Sequence, residues 1–288
     1  MSIRFENVSK RFGPKVVLDD VSFEVAPGEV LFVLGKSGMG KSVTLKHIVG
    51  LMRPERGKVW VDGREVGAEV AASDGTGLAE LRRTCGMVFQ HPALLDSLTV
   101  YENVAFGLRA DGVSPARGGG AAGMGKREAE IRAHVIRQLA LVGLGPEILE
   151  RTPPEISYGM QKRVSLARTL APGPRYLLFD EPTTGLDPVT TTAINELILE
   201  LSRKLGVTSI VVSHDMGCAL KIADRILVLD QGKILALAPV AEIRRSRIPL
   251  IRDFLEEALA LLPPEPSGPE PSGPELSGPE PSGPELSG

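Results

Sequence analysis

Apolar and polar residues alternate across residues 3–8 and 16–25, with Gly13-Pro14 between the two runs. Alternation at period two around a turn signal predicts two antiparallel strands, each with one buried face. The pattern then changes. Residues 30–34 are apolar throughout and stop at a glycine-rich loop, which predicts a strand covered on both faces. Residues 42–51 space their apolar positions for a helix, ended by Arg53-Pro54. Residues 57–61, before Asp62-Gly63, read as a strand entering a turn, and 86–89 as another buried strand. Between them, the small and polar residues 68–77 read as a loop insertion.

Helical spacing dominates the next block, at residues 100–108 and 126–141, where Ile131, Val135 and Leu139 share one face as a packing stripe. Residues 117–125, RGGGAAGMG, read as a flexible loop. A helix follows Ser157 to about Leu170. Strand and helix patterns then alternate at 176–179, 189–205, 209–212, 216–222 and 226–229, which predicts a parallel sheet covered on both faces.

Composition sharpens this picture in three ways. Of 33 basic and 36 acidic residues, five Glu lie in the P-E-P-S-G and P-E-L-S-G repeats of residues 264–288. That tail, with eight prolines and two leucines, is too poor in apolar surface to offset its ordering entropy, and is expected to be disordered. The remainder is nearly neutral, 33 basic against 31 acidic, so it lacks the basic footprint of a nucleic-acid binder. Cys85 and Cys218 have no CxxC partner, which excludes a cysteine zinc site and a disulfide framework. No apolar run reaches about 18 residues and no secretory signal is visible, so the expectation is a cytoplasmic chain that reaches a membrane only through a partner.

The chemistry centres on one loop. Gly35, Lys36, Ser37, Gly38, Met39, Gly40, Lys41 and Ser42, followed by Val43, match G-x-x-x-x-G-K-[ST] in full, between an apolar strand and a helix. Its glycines let successive N–H groups turn inward on phosphate, and the helix N-terminus adds a partial positive charge. Lys41 would reach the β- and γ-phosphates of a nucleotide, and the Ser42 hydroxyl would ligate Mg²⁺. A second glycine-lysine cluster at 123–126 is rejected, because Arg127 replaces the required hydroxyl and no strand precedes it. The apolar run 176–179 ends in Asp180 and Glu181: the first suits a Mg²⁺ site, the second can orient or deprotonate an attacking water.

With these residues in place, the chain resembles the nucleotide-binding subunit of an ATP-binding cassette (ABC) transporter over roughly residues 1–240. The motifs run in the family's order. Gln90, after Val88-Phe89, matches the Q-loop; Ile156-Ser157-Tyr158-Gly159-Met160-Gln161 stands at the LSGGQ signature; Gly185-Leu186-Asp187 resembles the D-loop; and Ser213-His214-Asp215 the switch histidine. Phe12 stands where an aromatic residue stacks on adenine. The resemblance implies a P-loop NTPase (RecA-like) core, residues 1–92 and 172–240, with an N-terminal antiparallel β-subdomain and an inserted α-helical subdomain at 93–171. A C-terminal helical extension would occupy 241–263. It further implies ATP and Mg²⁺ as ligands, with Ser42, Gln90 and Asp180 around the metal, and Glu181, His214, Gln90 and Asp187 in the catalytic group. Two copies would close head to tail, Ser157 and Gly159 of one facing the ATP held by residues 35–43 of the other. Tyr158 departs from the signature glycine; a helix's first turn does not need positive φ, so an active site is expected, with the ring packed aside.

Within the superfamily, residues 40–46, 50–54, 93–104, 159–163 and 251–255 resemble the ATPases of Mla/Mce-type phospholipid transporters. Partners would then be membrane permease subunits, docked at 94–106, and an Mce-domain lipid-binding protein. Polar amino acid import is the alternative. A DNA-repair or chromosome-type ATPase is disfavoured by the missing coiled coil, CxxC module and basic charge, and no nucleic acid partner is expected.

Overall fold

The computed structural model describes residues 2–71, 75–110 and 121–260 of the chain. Strands β1 (Ile3–Phe12) and β2 (Lys15–Val25) form the expected hairpin, and β3 (Val30–Leu34) leads into helix α1 (Lys41–Ile48). Next come β4 (Arg56–Val61), β5 (Arg64–Glu65), α2 (Val66–Ala71), α3 (Thr76–Thr84) and β6 (Cys85–Val88). Helices α4 (Val100–Ala110), α5 (Ala121–Leu141) and α6 (Tyr158–Leu170) make the helical block. The remainder alternates: β7 (Tyr176–Asp180), α7 (Pro188–Leu205), β8 (Thr208–Ser213), α8 (Met216–Ile222), β9 (Arg225–Asp230). Strand β10 (Lys233–Pro239) and helices α9 (Val240–Ile243) and α10 (Pro249–Ala260) follow.

Two sheets result. One is antiparallel, in the order β2-β1-β4-β5. The other runs β10-β9-β3-β8-β7-β6, parallel except for β10 at one edge. The continuous apolar run of β3 is explained by its central place there, since all five residues are buried. Its side chains divide at period two between two cores. Val30, Phe32 and Leu34 join α4 to α8 and α10 on one face; Leu31 and Val33 join α1 and the antiparallel sheet on the other. Each fully buried Leu or Phe contributes roughly 1.5–3 kcal/mol. The same division holds α1, with Leu45 and Ile48, between the two sheets and fixes the loop that precedes it.

Two expectations need correction. Residues 68–77 were expected to be a loop insertion, but α2 covers residues up to 71 and α3 starts at Thr76. Val66, Val70, Leu78 and Leu81 pack on the core beside the antiparallel sheet, so tertiary burial stabilises two short helices whose composition is weak. Of the loop expected at 117–125, residues 121–125 belong to α5, and the rest lie outside the described residues. The tail at 264–288 also lies outside them. Among the described residues no helix is long and apolar enough to cross a membrane.

Candidate functional site

The glycine loop joins the end of β3 to the start of α1, and its shape depends on missing side chains. Gly40 has φ +97°, and a Cβ there would stand 2.6 Å from the Val17 carbonyl oxygen. A Cβ on Gly35 would come within 2.5 Å of the Leu229 carbonyl oxygen. Both positions therefore need glycine for space, and Gly40 also for conformation.

Lys41, the first residue of α1, is buried and donates from Nζ to the carbonyls of Gly35 (2.7 Å) and Lys36 (3.2 Å). Its ammonium also stands 3.4 Å from Glu181 Oε1. The Ser42 hydroxyl donates to Asp180 Oδ1 at 2.7 Å, joining the loop helix to the end of β7. These oxygens form a hard donor set that suits Mg²⁺.

Glu181 follows β7 with φ +50°, a conformation uncommon outside glycine, held by its N–H donating to the Val212 carbonyl. Its carboxylate is gripped from both ends. Oε1 faces Lys41, while Oε2 accepts from His214 Nδ1 (2.9 Å) and Thr184 Oγ1 (3.2 Å). His214 leaves β8 with its side chain 64% exposed, against 15% for Glu181. An immobilised carboxylate thus lies between a buried cation and an accessible imidazole.

A cavity of about 700 Å³ opens over this group. Phe12, Lys36, Ser37, Gly38, Gly40, Lys41, Ser42, Val43, Gln90, Glu181 and His214 all line it, so most of the residues singled out from sequence converge on one space. Gly35 and Asp180 stand just behind it through their bonds to Lys41 and Ser42, and Met39 closes the loop with its N–H on the Lys36 carbonyl. Phe12, at the cavity edge, is 46% exposed, with the Lys10 ammonium 5.7 Å from its ring centre. Lys15, Val17, Thr184, Phe254 and Glu257 also line the cavity and were missed. Lys15 and Val17 follow the Gly13 turn that carries Phe12, a usable signal; Phe254 and Glu257 arrive on α10 by tertiary packing alone.

Three expected residues stand elsewhere. Ser157 caps α6, accepting from the Met160 N–H at 3.3 Å, and is exposed with its neighbour Tyr158. A tight turn, Pro153–Glu155, closed by mutual hydrogen bonds of Thr152 and Glu155, sets the start of this helix. Gly159 faces Thr190, whose Cγ2 would lie 3.3 Å from an added Cβ. Asp187 caps α7, accepting from Val189 and Thr190, and its hydrogen bonds with Thr190 hold its carboxyl below the usual range. None of the three lines the cavity of its own chain. The exposed tyrosine has its ring face 5.5 Å from Lys162 Nζ and its hydroxyl 3.5 Å from His91 Nδ1.

A phosphate-binding loop, a strand-end carboxylate pair and a histidine around one cavity define a P-loop ATPase site. The chain belongs to the ABC transporter family, whose model matches residues 18–184, as an ATP-binding, ATP-hydrolysing subunit. It is 40% identical over 260 residues to the methionine import ATP-binding protein MetN of Cereibacter sphaeroides, covering 88% of this chain and 69% of that protein. It is 38% identical to the probable ribonucleotide transport ATP-binding protein mkl of Mycobacterium tuberculosis, covering 88% and 66%. The chain thus spans about two thirds of the length of these relatives. Among solved structures, cbiO1 of Clostridium perfringens, part of the ABC transporter complex cbiONQ, matches with a TM-score of 0.71 at 27% identity, covering 88% of this chain and 98% of its own. The cassette MJ0796, dimeric and bound to ADP and Pi, matches at 0.69 and 30%, covering 83% and 98%.

Proposed function

We propose that this ATPase works as a head-to-tail homodimer on membrane permease subunits, at the inner face of the cell membrane, and powers phospholipid transport of the Mla/Mce type. The observation that supports the catalytic part is the Glu181 carboxylate, fixed between Lys41 and His214 beside the glycine loop. ATP lies with its phosphates on the N–H groups of residues 35–43 and its adenine on Phe12. Lys41 neutralises the β- and γ-phosphates, Glu181 orients water and takes its proton, and His214 contacts the γ-phosphate. Ser42, Asp180 and Gln90 would hold Mg²⁺, which when bound neutralises charge on the phosphate oxygens. Ser157, exposed at the capped start of α6, and the N–H of Gly159 beside it complete the site of the opposite copy. The MJ0796 dimer supports this arrangement by similarity.

Glu181→Gln keeps the shape and loses the base. ATP turnover should fall roughly 100-fold or more while ATP binding persists, and size-exclusion chromatography with ATP should show a stable dimer. Near-normal turnover would remove Glu181 from the role of base.

The phospholipid assignment rests on the residue segments named above, Gly159-Met160-Gln161-Lys162-Arg163 among them. Amino acid import is the second reading, favoured by the similarity to MetN. Affinity purification of the chain from its own membranes separates the two: a permease with an Mce-domain protein supports lipid, a permease whose ATPase responds to methionine supports the other.

A further inference from the structure

Lys162 has no part in the site described above, yet it is buried to 4% exposure in the second turn of α6. Its Nζ donates to the carbonyls of Gln90 (2.5 Å) and Pro182 (2.9 Å). Among the described residues no carboxylate pairs with it; the face of the Tyr158 ring, one helical turn back, lies 5.5 Å from the ammonium. Burial lowers its proton affinity, as expected for a cation whose partners are dipoles and a π face.

A buried ammonium is a costly way to fill space, and a methionine would pack the same volume without desolvation. What the lysine adds is reach and donors. Gln90 stands just past the end of β6, and Pro182 directly follows Glu181 past the end of β7. One compact, three-donor tip joins both to the helix that begins at Ser157. Arg168, two turns further along α6, donates to the Ala93 carbonyl at 2.9 Å, so the segment after β6 is gripped at two points. The three pieces have separate duties: Gln90 and Glu181 line the cavity of their own chain, while the start of α6 does not.

We propose that Lys162 is a positioning residue that couples the two nucleotide sites of the dimer, transmitting displacement of Gln90 and the Glu181-Pro182 turn in one site to the α6 N-terminus that serves the other. The inference rests on the two-site reading above. Tyr158 belongs to the same device, its ring covering the ammonium where a signature glycine would leave it open.

ATP hydrolysis by the full chain, measured against ATP concentration, tests this. The wild type should be cooperative. Lys162→Met should bring the Hill coefficient to about 1 and lower kcat roughly tenfold, while affinity for a fluorescent ATP analogue stays within about twofold. Lys162→Arg, which keeps charge and several donors, should restore cooperativity. If Lys162→Met does not fold, Lys162→Gln, with amide donors and no charge, carries the same expectation. A non-cooperative wild type, a Met or Gln variant that keeps wild-type cooperativity and kcat, or an Arg variant as impaired as Met would overturn the proposal. Glu181→Gln on the same day separates the failures. Absence of its ATP-dependent dimer removes the two-site reading and this inference together; a normal dimer with unchanged Lys162 variants removes only the coupling.

Discussion

Single residues here are perturbed by burial, and His47 gives that a measurable form. It lies fully buried in α1, five residues past Ser42, with Nδ1 donating to the Val43 carbonyl at 2.7 Å. Burial lowers its pKa, with Lys10 adding to the effect, and outweighs the carbonyls of Val43 and Arg53 that favour protonation. Because the folded value lies below the unfolded one near 6.5, the unfolded chain binds a proton first as pH falls. Stability should therefore be full above about pH 6.5 and decline below it, by at most about 1.4 kcal/mol per pH unit, until the folded pKa is passed. His47→Gln, compared by urea titration across pH 5–7.5, should flatten that slope; an equally steep variant would assign the acid sensitivity to other groups.

At the scale of elements, the glycine loop and the segment before α4 are the tightest joints. Gly40→Ala meets both a positive φ and the Val17 carbonyl, so it should destabilise by more than about 1 kcal/mol and weaken ATP binding. Thermal melts with and without ATP read both effects, and an unshifted melt would mean the loop can rearrange. Asn103, fully buried in α4, accepts from the Leu95 N–H and donates to the carbonyls of Leu95, Leu98 and Thr99. Asn103→Ala removes the partner of the Leu95 N–H and the Leu98 carbonyl, while the Leu95 and Thr99 carbonyls keep the N–H groups of Leu98 and residue 103, and should cost roughly 3 kcal/mol, measured by chemical denaturation. The fold also apportions the apolar residues of 94–106: Val100, Val104 and Ala105 are core, while Leu95 and Phe106 are exposed. The elements differ in how visible they were. Residues 30–34 and 216–222 carry their burial in an unbroken or periodic pattern and were read within a residue. Helices α2 and α3 were not, because small and polar residues need the core around Val66 and Leu81 to hold them helical.

For the whole molecule, net charge carries a prediction of its own. A nearly neutral body with an acidic tail should show no tight binding to double-stranded DNA at about 0.15 M salt, checked by fluorescence anisotropy. Tight, salt-dependent binding would revive the chromosome-type alternative.

The sequence alone determined the ATPase class, because the phosphate loop and the strand-end carboxylates are short segments whose chemistry follows from neighbouring residues. It also determined residues 30–34 as a buried strand, because the run is apolar throughout, while the packing assigned its alternate residues to two cores. Only the tertiary structure decided that Lys41 and Glu181, 140 positions apart, form a pair, or that α10 brings Phe254 and Glu257 to the nucleotide cavity. The same holds for Lys162, one charge in an ordinary helix pattern until the ends of β6 and β7 supply its two carbonyls. Local motifs are written in adjacent residues; the partners of a buried charge are set by which strands lie side by side, and that order is a property of the packed sheet.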